Sequence, residues 1–188
     1  MRRVLILALA VGFAGLTMGA DSCSTDTKDT ADTSGDGSSS SGSGSKGATP
    51  KAHVGDSITL RGGEDGEKIK VKVNKVIDPL TGGEFDQPSA GKRYVGIEIT
   101  LKNVGKTTYS DSPSNGAHLI GTNDRQFDST ILSGGPCGDE FSASAKIAPG
   151  DRRVGCIPFE VGKQAKLKKF QFALSSGFGP DNGEWILR

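Results

Sequence analysis

The feature that most constrains the fold is a stretch of alternating residues at positions 93–106, RYVGIEITLKNVGK. Apolar side chains occupy every second position within it, at Val95, Ile97, Ile99 and Leu101. Alternation with a period of two, in a composition rich in β-forming residues, predicts a strand with one buried face. Because that face has to be covered, the strand requires a second layer, and a second sheet is the simplest one.

The first residues of the chain have the organisation of a secretory signal peptide. Two arginines precede an apolar segment of 13 residues at positions 4–16. A helix needs roughly 20 apolar residues to cross a bilayer, so this segment is too short for a membrane span. Ala20 and Ser22 then fit the small-x-small pattern of a cleavage site. We therefore predict export, with residues 1–22 removed ahead of Cys23.

Cys23 occupies the position of the modified cysteine in bacterial lipoproteins. Its surroundings resemble a lipobox, in which a diacylglyceryl group is attached to the thiol and the cysteine becomes the new N-terminus. A lipobox usually has an aliphatic residue three positions before the cysteine, where this chain has Ala20, and Asp21 is unusual at the next position. We predict lipidation of Cys23, which makes the membrane a partner. The alternative is release from the cell after cleavage near Ala20 or Ser22.

The number of cysteines supports lipidation. The chain has three, Cys23, Cys137 and Cys156. In an exported chain one of them is left over if the other two pair. Cys137 lies in the segment 134–138, which is rich in Gly and Pro, and Cys156 lies in a predicted strand. We predict a disulfide that pins this loop across the strand, and two buried free thiols are the alternative.

Residues 23–50 have the composition of a disordered linker. Positions 24–48 consist mainly of Ser, Thr, Asp and Gly, without a large apolar residue. Such a segment cannot bury enough apolar surface to offset the entropy of ordering it. A flexible chain of about 27 residues has a root-mean-square reach of roughly 30 Å. This length suits a domain held just off a membrane or passing through a wall layer, and a tail without a spacing role is the alternative.

Residues 51–188 are then one folded domain. Apolar residues alternate in several short runs that end at turn-forming residues, and no stretch of ten residues has a helical period. The predicted strands include 57–60, 69–77, 118–120 joined to 126–127 by a turn at 122–125, 153–161 and 169–174, with Trp185 and Leu187 closing the chain. This pattern favours an all-β fold, an antiparallel sandwich of two sheets.

Two irregularities are expected around the run at 69–77. Asn74 and Lys75 break the alternation there, which indicates a β-bulge. Pro79 follows Asp78 and cannot donate a hydrogen bond to a neighbouring strand. The strand is therefore expected to end at this proline.

Several segments carry a family resemblance. They are Val54-Gly55-Asp56-Ser57, the strand at 95–103 with Val104-Gly105-Lys106, the turn Pro149-Gly150-Asp151 before 154–161, and residues 168–172. In these segments the chain resembles the domain of unknown function 4352 family, exported bacterial lipoproteins related to the immunoprotective extracellular protein superfamily. The resemblance spans about residues 52–174. It implies an immunoglobulin-like antiparallel β-sandwich of about seven or eight strands at the cell surface, and it implies no catalytic residues.

Few residues of the domain suit catalysis or metal binding. His53 and His118 are the only histidines. Neither has a His, Cys or carboxylate neighbour at ligand spacing, so no metal site and no cofactor are expected. No serine lies in a nucleophile elbow. Turn formation is the expected role of Asp111, Asn115, Asn123, Asp124, Asp128 and Gly177-Phe178-Gly179, which lack the spacing of a calcium or phosphate loop.

Charge gives little indication of a partner. The formal net charge is +1, and no basic run exceeds Lys166, Lys168 and Lys169. These three flank a predicted strand and are interpreted as a solvated edge. No clustered basic face interleaved with aromatic residues is recognisable, so nucleic acid is not expected as a partner.

These observations favour a non-catalytic binding or structural module, exported and lipid-anchored at Cys23 on the outer face of the cell membrane or envelope. Its expected partners are the membrane, through the anchor, and an envelope protein, wall polymer or small ligand, and the domain is expected to be monomeric. The alternative is an envelope enzyme or small-ligand-binding protein with an unrecognised site. A pocket with two or more convergent ionisable groups would support an enzyme, whereas a flat apolar patch would support binding.

Overall fold

The computed structural model describes residues 51–137, 141 and 144–188. This part of the chain consists mainly of strands. They are β1 (Lys51–His53), β2 (Ser57–Arg61), β3 (Lys68–Leu80), β4 (Lys92–Asn103), β5 (Tyr109–Asp111), β6 (Ala117–Gly121), β7 (Gln126–Asp128), β8 (Ala145–Ile147), β9 (Arg152–Gly162), β10 (Leu167–Ala173) and β11 (Asn182–Ile186), with 3₁₀ turns at Pro113–Gly116 and Ser175–Gly177. The predicted all-β fold is confirmed.

The strands form two main sheets and a small ribbon. One sheet has the order β1-β11-β10-β6-β7, the other has the order β2-β3-β4-β9, and β5 pairs with β8 in the ribbon. Within these sheets, β1 alone runs parallel to its neighbour, β11, and the other strand pairs are antiparallel. Side chains from both sheets share one hydrophobic core. The predicted immunoglobulin-like sandwich is therefore confirmed.

The alternation in β4 positions the core as predicted. Its apolar residues are fully buried: Val95, Ile97, Ile99 and Leu101. Across the core, the rings of Phe159 in β9 and Phe170 in β10 meet edge to face, with centroids 6.3 Å apart. Burying each side chain of this size contributes about 1.5–3 kcal/mol relative to exposure. The two sheets are thus held together mainly by apolar contact.

Strand β3 departs from regular pairing twice. Its register with β4 shifts between Val73 and Lys75, which confirms the predicted bulge, and shifts again before Leu80. The prediction that the strand ends at Pro79 is wrong, because pairing resumes between Leu80 and Tyr94. Pro79 lies inside the second irregularity, where its nitrogen does not have to donate a hydrogen bond.

Sequence alternation does not predict three of the strands, β1, β5 and β8. Each has three residues, which is too short for a period to be recognised. The β6–β7 hairpin, in contrast, has its turn at the predicted position, residues 122–125. Asp124 in this turn adopts a left-handed conformation with φ of 58°, which Asp tolerates better than most residues.

The predicted signal peptide at residues 1–22, the lipidation site Cys23 and the linker at residues 23–50 lie outside the described residues. Within the part of the chain that is described, no helix is long and apolar enough to cross a membrane.

A smaller group of buried side chains lies beside the main core. It consists of Leu80, Tyr94, Leu132, Cys137 and Cys156, with Ile77 packed against it. Cys137 and Cys156 form a disulfide with their Cα atoms 4.8 Å apart, which joins the loop after β7 to β9. Gly96 of β4 lies beneath this disulfide, since a Cβ atom there would come 2.6 Å from Cys137 Sγ. Only glycine leaves enough room for the disulfide at this position.

The N-terminal end of β1 points toward one end of the sandwich, and we call it the tether end. Lys51 pairs with Glu184, the third of the five residues of β11, and β1 runs parallel to β11. Asp181, which precedes β11, accepts two hydrogen bonds from the guanidinium of Arg61, the last residue of β2. Arg61 in turn lies opposite Lys68, where β3 begins. Because the sheet is antiparallel here, β4 ends and β9 begins at the tether end as well.

Candidate functional site

Alternate residues of β3 carry positive charge on the solvent side of the four-stranded sheet. Lys68, Lys70 and Lys72 are exposed, whereas Ile69 and Val71 between them are fully buried. The period of two in a strand places the three lysines on one face. Four residue rises separate the first from the last, so their Cα atoms span about 13 Å.

The strand register brings two further cations beside these lysines. Lys70 lies directly opposite Lys102 of β4, and Lys102 lies directly opposite Arg152 of β9. Both Lys102 and Arg152 are exposed. Because neighbouring strands are about 4.8 Å apart, these three residues form a row about 10 Å long across the sheet. We call Lys68, Lys70, Lys72, Lys102 and Arg152 together the basic face.

No residue of the basic face has a carboxylate partner within 4.0 Å in the described part of the chain. The lysines and arginines that do form ion pairs there lie outside it: Arg61 with Asp181, Lys75 with Glu98, Lys92 with Glu160, Arg93 with Asp78, Lys168 with Asp124 and Lys169 with Glu184. Lys75 and Glu98, 3.0 Å apart, lie next along the same sheet and form its border. The charge of the basic face is therefore uncompensated by these residues.

This arrangement has an electrostatic cost and an electrostatic use. Like charges directly opposite each other destabilise a sheet, so the Lys70–Lys102 and Lys102–Arg152 pairs oppose folding. A cluster of one sign also raises the local concentration of counter-ions and steers oppositely charged partners to the surface. The basic face can bind a group with several negative charges. It contains no carboxylate, imidazole or thiol, the groups that most often act as general bases or nucleophiles.

A shallow depression continues the basic face around the tether end. It is lined by Lys102, Lys146, Ile147, Gly150, Asp151, Arg152 and Arg153. Gly150 belongs to the Pro-Gly-Asp turn and adopts φ of 87°, a conformation that favours glycine. Asp151 then accepts a backbone hydrogen bond from Asn103, and Asn103 accepts one from Gly150. The turn is thereby fixed to the end of β4, which places Arg152 beside Lys102.

Sequence alone does not reveal this face, because its five cations come from three strands that are distant in the sequence. One signal points to it, because Lys68, Lys70 and Lys72 alternate with apolar residues and so have to share a side of their strand. Lys102 and Arg152 join them only through strand register, which composition does not specify. No aromatic residue lies among these five in the described sheet, so the pattern differs from that of a surface on which nucleic-acid bases stack.

The three other lysines considered in the sequence fit their prediction only in part. Lys166 and Lys168 are exposed, as expected of a solvated edge, and Lys168 Nζ lies 3.0 Å from Asp124 Oδ1. Lys169 is half-buried and donates a hydrogen bond to the buried Glu184. Its strand, β10, lies between β11 and β6. The prediction is therefore wrong for Lys169, because its side chain is half-buried against Glu184 and not solvated.

A second depression contains the convergent ionisable groups that would support an enzyme. It is lined by Ser114, Asn115, Ala117, His118, Asp128, Ser129, Ser176 and Phe178. His118 Nδ1 lies 2.9 Å from Asp128 Oδ1. Hydrogen bonds from Gln126 and His118 hold the pKa of Asp128 below its usual range. The hydroxyls of Ser129 and Ser176 donate to other acceptors, so within the described residues this pair lacks the contact between base and nucleophile that acyl transfer requires.

The residues considered for calcium are dispersed among different structural contacts. Asp111 binds Ser176, Asn123 accepts from the backbone of Arg125, Asp124 binds Lys168, Asp128 binds His118, and Asn115 lies in a 3₁₀ turn. Across the described ranges, no group of three or more His, Cys, Asp or Glu side chains could hold a metal ion. Gly177-Phe178-Gly179 forms a turn whose phenylalanine is 90% exposed.

Comparison with known proteins places this sandwich among similar folds. The structure is similar to that of MPT63, a secreted protein from Mycobacterium tuberculosis, with 14% identity and a TM-score of 0.51 over 74% of this chain and 98% of that one. It is also similar to ycdA from Bacillus subtilis, described as a lipoprotein, with 15% identity and a TM-score of 0.52 over 72% of this chain and 38% of that one. At these identities the likeness shows a shared fold.

No curated protein matches the chain. A family model does match, over residues 64–181, and it is that of the domain of unknown function DUF4352. The match spans more than half of the chain and includes β3, β4, β9 and β10. The resemblance drawn from the sequence is thereby confirmed, and this chain belongs to the DUF4352 family.

Proposed function

We propose that this protein is an exported, lipid-anchored and non-catalytic binding module whose basic face contacts a partner with several negative charges. The observation that carries this proposal is the juxtaposition of five exposed cations on three neighbouring strands. The signal-peptide pattern ahead of Cys23 supports export and anchoring. The two structural neighbours, a secreted protein and a protein described as a lipoprotein, support the same location.

Binding by charge fits this surface better than binding by shape. Lysine carries its charge on a flexible stem with several rotatable bonds, so a lysine cluster adapts to the spacing of its partner. The sheet that carries these lysines presents its exposed, pleated side, whereas sites that enclose a small molecule are concave. Binding of this kind depends on ionic strength, because salt screens exposed charges.

An enzymatic role is supported less well than binding. The His118–Asp128 pair has the carboxylate that orients an imidazole, but Ser129 and Ser176 are engaged with other acceptors. A general base has to lie within hydrogen-bond reach of the group from which it takes a proton. We therefore assign the function to the basic face.

Titration with a soluble polyanion tests this proposal. The mature chain, residues 23–188 with Cys23→Ser, is titrated with sodium polyphosphate at several salt concentrations. We expect affinity to fall steeply with salt. Replacing Lys68, Lys70 and Lys72 together by Gln should lower the slope of log affinity against log salt by about three, since each lysine that contacts phosphate adds about one.

The control variant replaces Lys163, Lys166 and Lys168 by Gln. It removes the same number of charges at the opposite end of the sandwich, where β9 ends and β10 begins. We expect it to bind polyphosphate like the parent chain. Equal losses in the two triple variants, or an affinity independent of salt, would show that the basic face is not the binding surface.

A further inference from the structure

We infer that the anionic partner is the surface of a membrane containing anionic phospholipids, against which the basic face of the domain lies. The inference rests on the proposed function and narrows it, since it names the chemistry and the geometry of the partner. Three points support this inference. They are the position of the basic face relative to the start of β1, the two-dimensional layout of the five cations, and the short distance over which their electrostatic attraction acts.

The first observation is that the basic face lies toward the same end of the sandwich as the N-terminal end of β1. The predicted linker joins the domain at Lys51, the first residue of β1, and the N-terminal end of β1 points toward the tether end. Lys68, Lys70 and Lys72 lie within the first five residues of β3, which begins at that end. Lys102 is the residue before the last of β4, and Arg152 is the first of β9. All five cations thus lie in the half of the four-stranded sheet toward which the N-terminal end of β1 points.

The second observation is that the cations are spread in two dimensions. Three lysines follow β3 over about 13 Å, and the row through Lys70, Lys102 and Arg152 crosses the sheet over about 10 Å. A layer of lipid headgroups presents phosphates in two dimensions to such an array. A single flexible polymer meets fewer of the five cations at once and loses conformational freedom when it is ordered on the surface. The layout therefore favours a planar anionic surface over one dissolved chain.

The third point is that the five charges of the basic face attract a partner only over a short distance. At physiological salt the attraction between exposed charges decays over about 8 Å. Each basic residue near an anionic membrane raises the affinity about fivefold, so five such residues give a weak association by themselves. A tether to the membrane keeps the basic face close to the lipid surface. Docking of the domain then becomes an intramolecular step. The predicted diacylglyceryl anchor can supply this tether, because two acyl chains give stable membrane attachment.

Membrane docking is measured with the untethered mature chain, residues 23–188 with Cys23→Ser. One arm measures cosedimentation with vesicles of pure phosphatidylcholine and with vesicles that contain an increasing share of phosphatidylglycerol. The second arm measures binding to soluble poly(glycerol phosphate), which carries the same phosphodiester charge on a flexible chain. Both arms use the same total phosphate concentration and the same low salt.

We expect binding that rises steeply with the share of phosphatidylglycerol, is absent with pure phosphatidylcholine, and is tighter than binding to the soluble polymer. The triple variant Lys68→Gln, Lys70→Gln, Lys72→Gln should lose vesicle affinity by on the order of 100-fold, at about fivefold per charge. The triple variant Lys163→Gln, Lys166→Gln, Lys168→Gln should keep it.

The outcomes separate this inference from the proposed function. Tighter binding to poly(glycerol phosphate) than to vesicles would overturn the membrane inference and identify a dissolved wall-type polymer as the partner, while the proposed function stands. Failure to bind vesicles, poly(glycerol phosphate) and polyphosphate would overturn both. An equal loss of vesicle binding in the control variant and in the basic-face variant would also overturn the inference. Net charge, and not the basic face, would then account for vesicle binding.

Discussion

Lys70 of β3 and Lys102 of β4 lie directly opposite each other on the solvent side of the four-stranded sheet. Neither has a carboxylate within 4.0 Å among the described residues, and Arg152 lies on the other side of Lys102. Three cations in adjacent strands repel one another, so this row opposes folding. A surface arrangement that costs stability is a common property of binding sites, where function and stability favour different residues.

The first prediction concerns this cost. Replacing Lys102 by Glu creates cross-strand pairs of opposite charge with Lys70 and Arg152. We expect the free energy of unfolding to rise by about 0.5–1 kcal/mol, because each such pair contributes a few tenths of a kcal/mol or more. The same substitution should weaken binding to polyphosphate. Urea denaturation gives the stability change, and Lys163→Glu is the control. A less stable Lys102→Glu variant with unchanged binding would contradict this account of the row.

The second prediction concerns the anchor. We expect Cys23→Ser to move the protein from the membrane fraction into the medium, because two or more acyl chains give stable attachment and the variant has no site for them. Cell fractionation measures the distribution, and mass spectrometry of the mature N-terminus identifies the modification. An unmodified thiol at Cys23, or a mature chain that starts after it, would show that this protein is not lipidated there.

The third prediction concerns the disulfide between Cys137 and Cys156, which closes a loop with a sequence separation of 19. Crosslinking a loop of this length stabilises a domain by on the order of 3 kcal/mol, chiefly by restricting the unfolded chain. We expect the double variant Cys137→Ala, Cys156→Ala to lose about that much, measured by urea denaturation. Intact mass after alkylation, with and without reductant, tests the bond itself. Alkylation of both cysteines without reductant would mean that the bond is absent.

The fourth prediction uses two glutamates whose pKa values shift in opposite directions. Burial, with the nearby Asp111 and Glu64, raises the pKa of Glu67. The folded state then binds a proton more readily than the unfolded state, so stability falls as pH rises through the window above the unfolded pKa of about 4.3. We expect Glu67→Gln to remove this decline. The variant should gain stability over the parent at neutral pH and not below that window.

Glu160 is the control with the opposite sign. Hydrogen bonds from Lys92 and from the backbone of Ser89 lower its pKa to about 2. Its contribution is therefore present above the unfolded pKa of about 4.3 and is lost as pH falls toward about 2. Glu160→Gln should cost stability at neutral pH and have no effect at the acid end. Unfolding curves from pH 2 to 8 measure both variants, and pH profiles that coincide would refute the two assignments.

Sequence pattern specifies the layers of this fold better than its surface. The alternation at Val95, Ile97, Ile99 and Leu101 predicts β4 correctly, because burial of one face repeats within a single strand. The basic face cannot be predicted in the same way. Lys70, Lys102 and Arg152 are distant in the sequence and meet only through the registers of β3, β4 and β9. The bulge between Val73 and Lys75 also shifts that register, so the neighbours of each lysine depend on a local irregularity.

The short strands show a second limit of prediction from sequence pattern. Three-residue strands such as β5 and β8 pair with each other in a separate ribbon, and their few residues carry no recognisable alternation. Their position is determined by tertiary packing of Tyr109 and Ile147, which are both buried in the core. The alternation of residues within one segment does not predict such long-range contacts.

Backbone amide NMR during a polyanion titration tests the central claim most directly. Isotope-labelled residues 23–188 with Cys23→Ser are titrated with polyphosphate of defined length, and chemical shift changes are mapped on the sheet. We predict that the largest changes fall on Lys68, Lys70, Lys72, Lys102 and Arg152 and disappear at high salt. The assignment of function to the basic face would be contradicted if β3 showed no chemical shift changes and the largest changes lay around His118 and Phe178, or around Lys163 and Lys166.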